Sequence, residues 1–498
     1  MLCRLLPAFL SFALLTPLAR AETHFLTFGG GPSPDYNQIS LEKNIQYLQH
    51  VLVDLGLAKV PNDIYFADGG SSFHVVKYLA PDDPANDFAD EISDLAMHSG
   101  GLEDRYAPVT LHPLNGPSTH DALATWFSTT GKSLHAGDRL VFYFTGHGGA
   151  DSSRLGVQRN TTMEMWDSPA FTVREFLQQL DKLDPAVAVT LIMVQCHSGG
   201  FADAIYTDGD YRQGLARQPR CGFFSTTAPR LAAGCTPEMN EEAYQDFSTH
   251  FFAALSGKTR IGKAVEKPDY DHKGYTSFTD AFVYALLNDD TIDIPISTSD
   301  QLLRDFSHFR TREETTDILE NNAPYADVLA AASPAQRAAL EGLSVQLALT
   351  GNDRLPKALA MARDLQSERN ALTRSRRATD NAFNNARERL HDALAHHFPE
   401  LGIPNHPDAA KIMATQHDAI LALLNSQKDY QVYHDAEKKR DDLDEQEDAL
   451  ERKWVTTQRF LERARTVILA ANLPKVAKPD IVAAYQALIA RESETFSK

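Results

Sequence analysis

The pattern of apolar residues predicts two buried parallel strands joined by a helix in the first half of the chain. Residues 138–145 and 187–194 are nearly continuous β-branched, aliphatic and aromatic residues, which is typical of strands covered on both faces. Between them, residues 171–183 carry apolar side chains at the spacing of a helix that lies on a sheet. Such a β-α-β unit makes the strands parallel and brings their carboxyl ends to the same edge of the sheet.

Each of these strands runs into a glycine-rich segment that contains a chemically active side chain. The first segment contains His147 and the second contains Cys196, which follows 49 positions later (196 minus 147). Open α/β sheets hold their active residues at the carboxyl ends of the strands. We therefore expect His147 and Cys196 to meet.

A cysteine and a histidine at one sheet edge can act as a nucleophile and its proton carrier. Cysteine attacks as the thiolate, and a nearby imidazole lowers the pKa of the thiol and later protonates the leaving amine. The backbone N–H groups of Gly148 and Cys196 are the expected donors to the tetrahedral oxyanion. The alternative is a buried core cysteine and an unrelated surface histidine, but both residues end a strand and precede glycines, which favours the catalytic interpretation.

These segments resemble the caspase-like cysteine peptidases, and within them the legumain branch. That family has a strand that ends in His-Gly and, about fifty residues later, a strand that ends in Cys-x-Ser-Gly; residues 147–148 and 196–199 have this pattern. The resemblance covers about residues 22–290. It implies a three-layer α/β/α sandwich with a mostly parallel sheet, a dyad of Cys196 and His147 that cleaves peptide bonds through a thioester, and no cofactor.

The resemblance also suggests residues that line the substrate cleft, with one departure. Family members have Glu or Gln two positions before the nucleophile, whereas this chain has Val194 there and Gln195 one position nearer. We assign Gln195 and Ser198 to substrate binding. Because of the departure, cleavage after Asn or Asp is not carried over from the family.

Two further positions match the family approximately. Asn37 follows the first predicted strand and corresponds to an Asn that orients the catalytic histidine; the alternative is a turn or N-cap residue. Asp246 precedes Phe and Ser in a context similar to that of an acidic residue in the legumain specificity pocket. The alternative for Asp246 is a cap of the helix that follows.

The first 21 residues have the pattern of a cleavable signal peptide. A single arginine precedes an apolar run over residues 5–15, and an Ala-Arg-Ala sequence ends at Ala21, after which we place the cut. The run is too short to span a bilayer, which needs roughly 20 residues. This predicts a secreted or periplasmic protein.

The cysteine count predicts one disulfide in the mature chain. Cys3 is lost with the signal peptide, and the proposed chemistry uses Cys196. Cys221 and Cys235 are then left to pair in an oxidising compartment. Two free thiols are the alternative.

The formal net charge of −19 argues against nucleic acid or an anionic membrane as a partner, because phosphate binding needs clustered cations. No later segment is apolar enough to span a membrane. The short acidic segments 208–210 and 269–271 could hold calcium, but they lack the full ligand series of a calcium loop, so we assign no metal site and favour solvated turns. The expected partner is a peptide or protein substrate.

The chain divides into the signal peptide 1–21, a caspase-like peptidase domain 22–298 and a helical region 299–498. Within the helical region, residues 357–397 and 408–471 are long, charged and periodic, which predicts an antiparallel helical hairpin of coiled-coil type. Two interpretations stay open for it: a segment that covers the active site, as legumains have, or a permanent arm that binds a protein partner or forms an oligomer.

The sequence predicts a secreted cysteine endopeptidase. Two other functions stay open. One is a catalytically silent caspase-like scaffold that binds a partner through its helical arm. The other is a transamidase, in which an amine intercepts the same thioester.

Overall fold

The computed structural model describes residues 22–80, 87–97, 104–151, 159–308, 318–403 and 406–496. The predicted signal peptide lies outside these residues. The strands are β1 (Thr23–Gly30), β2 (Asn62–Phe66), β3 (Val76–Leu79), β4 (Asp104–Ala107), β5 (Arg139–Gly146), β6 (Thr162–Met165), β7 (Ser168–Thr172), β8 (Ala188–Met193), β9 (Arg220–Phe224) and β10 (Ile296–Ser297).

The α-helices of the first half are α1 (Ile39–Asp54), α2 (Asp87–Met97), α3 (His120–Ser128), α4 (Val173–Leu180), α5 (Phe247–Ser256) and α6 (Phe278–Asn288). Those that follow the last strand are α7 (Thr298–Phe306), α8 (Tyr325–Ala331), α9 (Pro334–Gln346), α10 (Arg354–His397), α11 (Ala409–Thr415), α12 (His417–Ser426), α13 (Lys428–Val476) and α14 (Pro479–Glu492).

Six strands form the central sheet in the order β10-β9-β8-β5-β1-β2. Neighbouring strands are parallel except for β10, which is antiparallel to β9. β5 and β8 pair from Arg139 opposite Ala188 to Phe144 opposite Met193. The predicted parallel pair is confirmed, and the carboxyl ends of its strands lie at one edge of the sheet.

Successive residues of a strand point to opposite faces of the sheet, so these apolar strands present side chains on both faces. Helices cover both. On one face, Phe25 and Tyr143 pack in a cluster with residues of α1, α5 and α6. On the other face, Phe28 and Phe142 pack in a cluster with residues of α3 and α4. The predicted three-layer arrangement with a mostly parallel sheet, followed by a helical region, is confirmed.

The helices α10 and α13 form the predicted antiparallel hairpin. The first helix, Arg354–His397, agrees with the prediction of 357–397. The prediction of one continuous second helix over 408–471 is wrong, because α11 and α12 form separate short helices before α13 begins at Lys428. Ile420 and Leu424 of α12 pack into a cluster with residues of α2 and of the end of α10.

The helical region and the sheet region share a hydrophobic core. Phe460 and Val467 of α13 belong to the same buried cluster as Phe25 and Val141 of the central strands. Phe496, near the end of the chain, lies edge-on to Phe25 with 5.2 Å between the ring centroids. Residue 298 therefore marks a change in secondary structure, and a chain that ended there would expose this cluster to water.

Among the described residues, no helix combines the length and the apolar character that crossing a membrane requires.

Candidate active site

His147 follows β5 directly and is held by the loop that follows β1. Its Nε2 lies 2.8 Å from the carbonyl oxygen of Tyr36 and 2.9 Å from Oε1 of Gln38. Both oxygens can only accept a hydrogen bond, so Nε2 carries the ring proton. In the neutral imidazole Nδ1 is then the unprotonated nitrogen, ready to accept a proton.

The surroundings of His147 favour this neutral form. Burial lowers the pKa of the imidazole below its ordinary value, against smaller opposite effects of the Tyr36 carbonyl and the Glu164 carboxylate. Glu164 lies on β6 and its backbone N–H donates to the carbonyl of His147 at 3.0 Å, which fixes the backbone on the other side of the ring.

Cys196 follows β8 and is half-buried. Its Sγ accepts a hydrogen bond from the backbone N–H of Ala232 at 3.3 Å and lies 3.7 Å from the carbonyl of the same residue. Burial raises the pKa of the thiol above its ordinary value, while hydrogen bonds from the backbone lower it. The sequence predicted a lowered pKa, and the net shift has the opposite direction. The resting site therefore holds a thiol and a neutral imidazole.

The two active segments are in direct contact through Gly148. A Cβ atom on Gly148 would lie 2.2 Å from the carbonyl oxygen of Cys196 and 2.6 Å from Cγ of Gln195. Any side chain at this position would push the histidine segment away from the cysteine segment. The expected meeting of the two strand ends thus depends on glycine at position 148.

The backbone N–H groups of Gly148 and Cys196 are the predicted oxyanion donors. Neither donates a hydrogen bond to another of the described residues. His197, which follows the nucleophile, has a left-handed backbone with φ 61° and ψ 15°. This conformation carries a modest cost for a residue other than glycine, and five further non-glycine residues of the described chain share a positive φ.

Among the described residues no hydrogen bond joins Asn37 to His147, so the structure does not support a direct role of Asn37 in orienting the ring. Its Oδ1 accepts from the N–H of Gly31 at 3.1 Å, and its Nδ2 donates to the carbonyl of Val75 at 2.9 Å. These bonds fix the loop in which its neighbours Tyr36 and Gln38 hold the imidazole. Gly31 is required there, because a Cβ on it would lie 1.9 Å from the Tyr36 carbonyl oxygen.

Gln195 and Ser198, which we assigned to substrate binding, are both fully buried. The amide atoms of Gln195 have no hydrogen-bond partner among the described residues. Ser198 Oγ lies 3.3 Å from Ser225 Oγ and accepts from the N–H of Thr226 at 3.3 Å, so it links the cysteine segment to the end of β9. In this structure neither side chain reaches the surface where a substrate would bind.

Asp246 caps helix α5, which is the alternative that the sequence left open. Its Oδ1 accepts from the N–H of Thr249 at 3.1 Å and from Oγ of Ser248 at 2.6 Å. Arg260 lies 3.9 Å from the other carboxylate oxygen. Asp246 is 4% exposed, so a role in binding the substrate side chain is not supported.

The predicted disulfide between Cys221 and Cys235 is wrong, since both are free thiols. Cys221 lies in β9 with its Sγ 3.6 Å from Thr190 Oγ1, within a cluster formed with Leu302 and other residues of the helical region. Cys235 lies 3.7 Å from the carbonyl of Gly146 and packs in a different cluster. Burial raises the pKa of Cys221 to about 12 and also raises that of Cys235.

Donors within the protein bind most of the carboxylate oxygens of the acidic segment 269–271. Carboxylate oxygens of Asp269, Asp271 and Asp280 lie within 4.8 Å of one another. Asp269 accepts from the backbone N–H groups of residues 273 and 274, and Asp271 pairs with Lys273 at 2.7 Å. These contacts make the group a capped turn, which is the interpretation that the sequence favoured.

Several residues that shape the site have no recognisable pattern in the sequence. Tyr36 binds the imidazole through its backbone carbonyl, which any residue type could supply. Gln38 binds it through its side chain and lies one position after Asn37, the residue that we predicted. The segment 228–233 also contacts Cys196 and the next residue, His197. Its contacts connect positions more than thirty residues apart (232 minus 196 is 36), and no local pattern reports them.

Comparison with known proteins adds little to this geometry. No protein-family model matches the chain, and no curated protein is significantly similar to it. Among solved structures, the chain is similar to protein GSU0716 from Geobacter sulfurreducens, a structural genomics target, with a TM-score of 0.31 and 12% identity. That similarity covers 55% of this chain and 92% of the other. It is too weak to indicate a function.

Proposed function

We propose that this protein is a cysteine endopeptidase that uses Cys196 and His147 as its catalytic dyad. One observation carries the proposal: Gly148 packs directly on the carbonyl of Cys196, so the histidine and cysteine segments share one edge of a parallel sheet. The orientation of the imidazole supports it, because Nε2 is bound by Tyr36 and Gln38 and Nδ1 is left to exchange a proton.

The neutral resting dyad defines the order of the steps. As Cys196 Sγ attacks the peptide carbonyl carbon, His147 Nδ1 takes the thiol proton, and the carbonyl oxygen becomes an oxyanion. The N–H groups of Gly148 and Cys196 stabilise that oxyanion. The imidazolium then gives its proton to the leaving amine, the C–N bond breaks, and a thioester remains on Cys196.

Hydrolysis of the thioester completes the cycle. His147 accepts a proton from water, the hydroxide equivalent adds to the thioester carbonyl, and the thiolate leaves and is reprotonated by the imidazolium. The same thioester would transfer its acyl group to an amine if one reached it before water. We propose hydrolysis as the main reaction, on a peptide or protein substrate outside the cytoplasm, as the predicted signal peptide indicates.

A mechanism-based thiol probe tests the enzyme against a silent scaffold. A peptidyl acyloxymethyl ketone should label Cys196 and leave Cys235 unlabelled, and His147→Ala should reduce the labelling. Cys235→Ala is the matched control, because that thiol lies near the site but has no histidine partner. Equal, slow labelling of the wild type and His147→Ala would favour the scaffold. Products analysed with an added amine separate hydrolysis from acyl transfer.

A further inference from the structure

The segment 228–233 contacts the proposed nucleophile and the next residue through its backbone. The carbonyl of Ala228 lies 2.8 Å from Nδ1 of His197, and the carbonyl of Arg230 accepts from the His197 N–H at 2.8 Å. Two residues later, the N–H of Ala232 donates to Sγ of Cys196. The position of this segment therefore fixes the backbone after the nucleophile and supplies a hydrogen bond to the nucleophile itself.

The side chain of Arg230 is held by the carbonyl of Ile292, at 3.3 Å, and by the helical arm, by which we mean the hairpin of α10 and α13. Arg230 Nη2 lies 3.4 Å from Oε1 of Glu451, and its guanidinium lies 4.9 Å from the ring centroid of Trp454. Both partners belong to α13 and are spaced three residues apart, so they present one face of the helix to Arg230.

The second helix of the arm completes the contact. Arg369 of α10 pairs with the other carboxylate oxygen of Glu451 at 2.5 Å and lies 4.3 Å from the centroid of the same Trp454 ring. The four side chains thus form one group, with a carboxylate shared by two guanidinium groups and an indole in contact with both. Such shared contacts restrict each side chain more than an isolated surface ion pair does.

A second contact from α13 holds the far end of the segment. The N–H of Ala233 donates to Oδ1 of Asp293 at 2.8 Å. The backbone carbonyl of Asp293 in turn accepts from Nε of Arg459 at 2.7 Å. Arg459 is 3% exposed, so this turn is anchored to α13 inside the protein. The arm therefore supports the segment at Arg230 and again through Asp293.

These contacts show how the arm relates to the active site. The arm reaches the segment through the side chain of Arg230, while the backbone of the segment contacts the nucleophile. Within the described ranges, no hydrogen bond joins α10 or α13 to Cys196 or His147. The polar contacts of the arm thus reach the segment 228–233 and not the two side chains of the dyad, which is the pattern expected of a support.

We propose that Glu451 and Trp454 of the helical arm are positioning residues for Cys196, which they hold in register through Arg230 and the segment 228–233. The inference rests on the proposed function of Cys196. It makes the arm a required part of the active site, and it predicts that loosening the arm at this contact lowers activity.

The test compares full-length Trp454→Ala and Glu451→Gln with Asp444→Asn. Asp444 is the matched control, because it lies on α13 and pairs with Arg376 of α10 within the arm, away from Arg230. We expect kcat to fall about 10- to 100-fold in the first two variants, since a shift of about 1 Å in a reacting group costs that much, with KM nearly unchanged. Trp454→Phe should restore most of the activity, because a phenyl ring keeps contact with both guanidinium groups.

A second readout does not depend on peptidase activity. Iodoacetamide alkylation of Cys196, followed across pH by mass spectrometry, should shift to higher pH in Trp454→Ala, because the Ala232 N–H no longer stabilises the thiolate. An altered alkylation profile in a protein without peptidase activity would reject the proposed function and keep the positioning role. Wild-type kcat and an unchanged profile in folded Trp454→Ala and Glu451→Gln would overturn the inference, as would a gain of activity. If Trp454→Ala does not fold, Glu451→Gln decides the question by the same readouts.

Discussion

Arg459 should be among the most important single residues for the stability of this protein. Its guanidinium lies 3.1 Å from Oδ1 of Asp289, whose side chain is fully buried, and it also donates to the backbone carbonyls of Leu286, Asp289, Thr291 and Asp293. Arg459→Met keeps most of the aliphatic volume and removes the charge. It leaves one buried carboxylate without its counter-ion and four backbone carbonyls, those of residues 286, 289, 291 and 293, without this donor.

The loss can be estimated from these contacts. Breaking a buried ion pair by removing one partner costs about 3–5 kcal/mol, because the remaining charge is uncompensated. Rearrangement and entering water recover part of the lost carbonyl bonds, which would otherwise add about 1–3 kcal/mol each. We therefore expect a loss of about 4 kcal/mol in the free energy of unfolding at pH 7.5.

The loss should also depend on pH with a definite sign. Burial raises the pKa of Asp289 above its ordinary value, and the Arg459 guanidinium opposes that rise. Without Arg459 the folded-state pKa rises further above that of the unfolded chain. A raised folded-state pKa favours folding at low pH, and this advantage is lost as the pH increases through it. The destabilisation should therefore be smaller at pH 5 than at pH 7.5.

Urea denaturation followed by far-UV circular dichroism measures both effects. Arg452→Met is the matched control, because Arg452 is on the same helix and lies 3.8 Å from the neighbouring Asp290, with both side chains exposed. That change should cost less than about 0.5 kcal/mol. A loss of less than about 1 kcal/mol for Arg459→Met, or an equal loss at the two pH values, would refute the account of this buried pair.

Three further predictions concern the site. Gly148→Ala should lower kcat/KM by at least about 100-fold, because its Cβ would separate the histidine and cysteine segments, whereas full activity would show that their contact is not needed. The lowered pKa of His147 should place the midpoint of the acidic limb of the pH–rate profile below pH 6.5, and a midpoint above pH 6.5 would contradict this. The raised pKa of Cys196 should keep alkylation of the resting thiol slow until alkaline pH. Asp246→Asn should cost up to about 1 kcal/mol in stability as a weakened cap and leave the cleavage pattern unchanged, and an altered pattern would restore its pocket role.

The parts of the fold that follow from local pattern could be predicted from the sequence. Continuous apolar runs identified β5 and β8, and the handedness of the crossover made them parallel, which brought His147 and Cys196 to one edge. Helix α10 was predicted to within a few residues, because its heptad-like pattern is long and uninterrupted.

The parts of the structure that depend on contacts between distant residues could not be predicted from the sequence. The imidazole is bound by a backbone carbonyl and by Gln38, neither of which carries a local signal. The thiols of Cys221 and Cys235 were paired by elimination, yet packing assigns them to separate clusters. The polar pattern of α13 hid the apolar residues, such as Phe460, by which it joins the core of the sheet region.

Cleavage of a peptide library by the purified mature protein tests the central claim most directly. The account predicts that the wild type cleaves library members, that Cys235→Ala cleaves them at a similar rate, and that Cys196→Ala and His147→Ala do not cleave although both fold normally. Cleavage by Cys196→Ala at the wild-type rate would contradict the proposed mechanism.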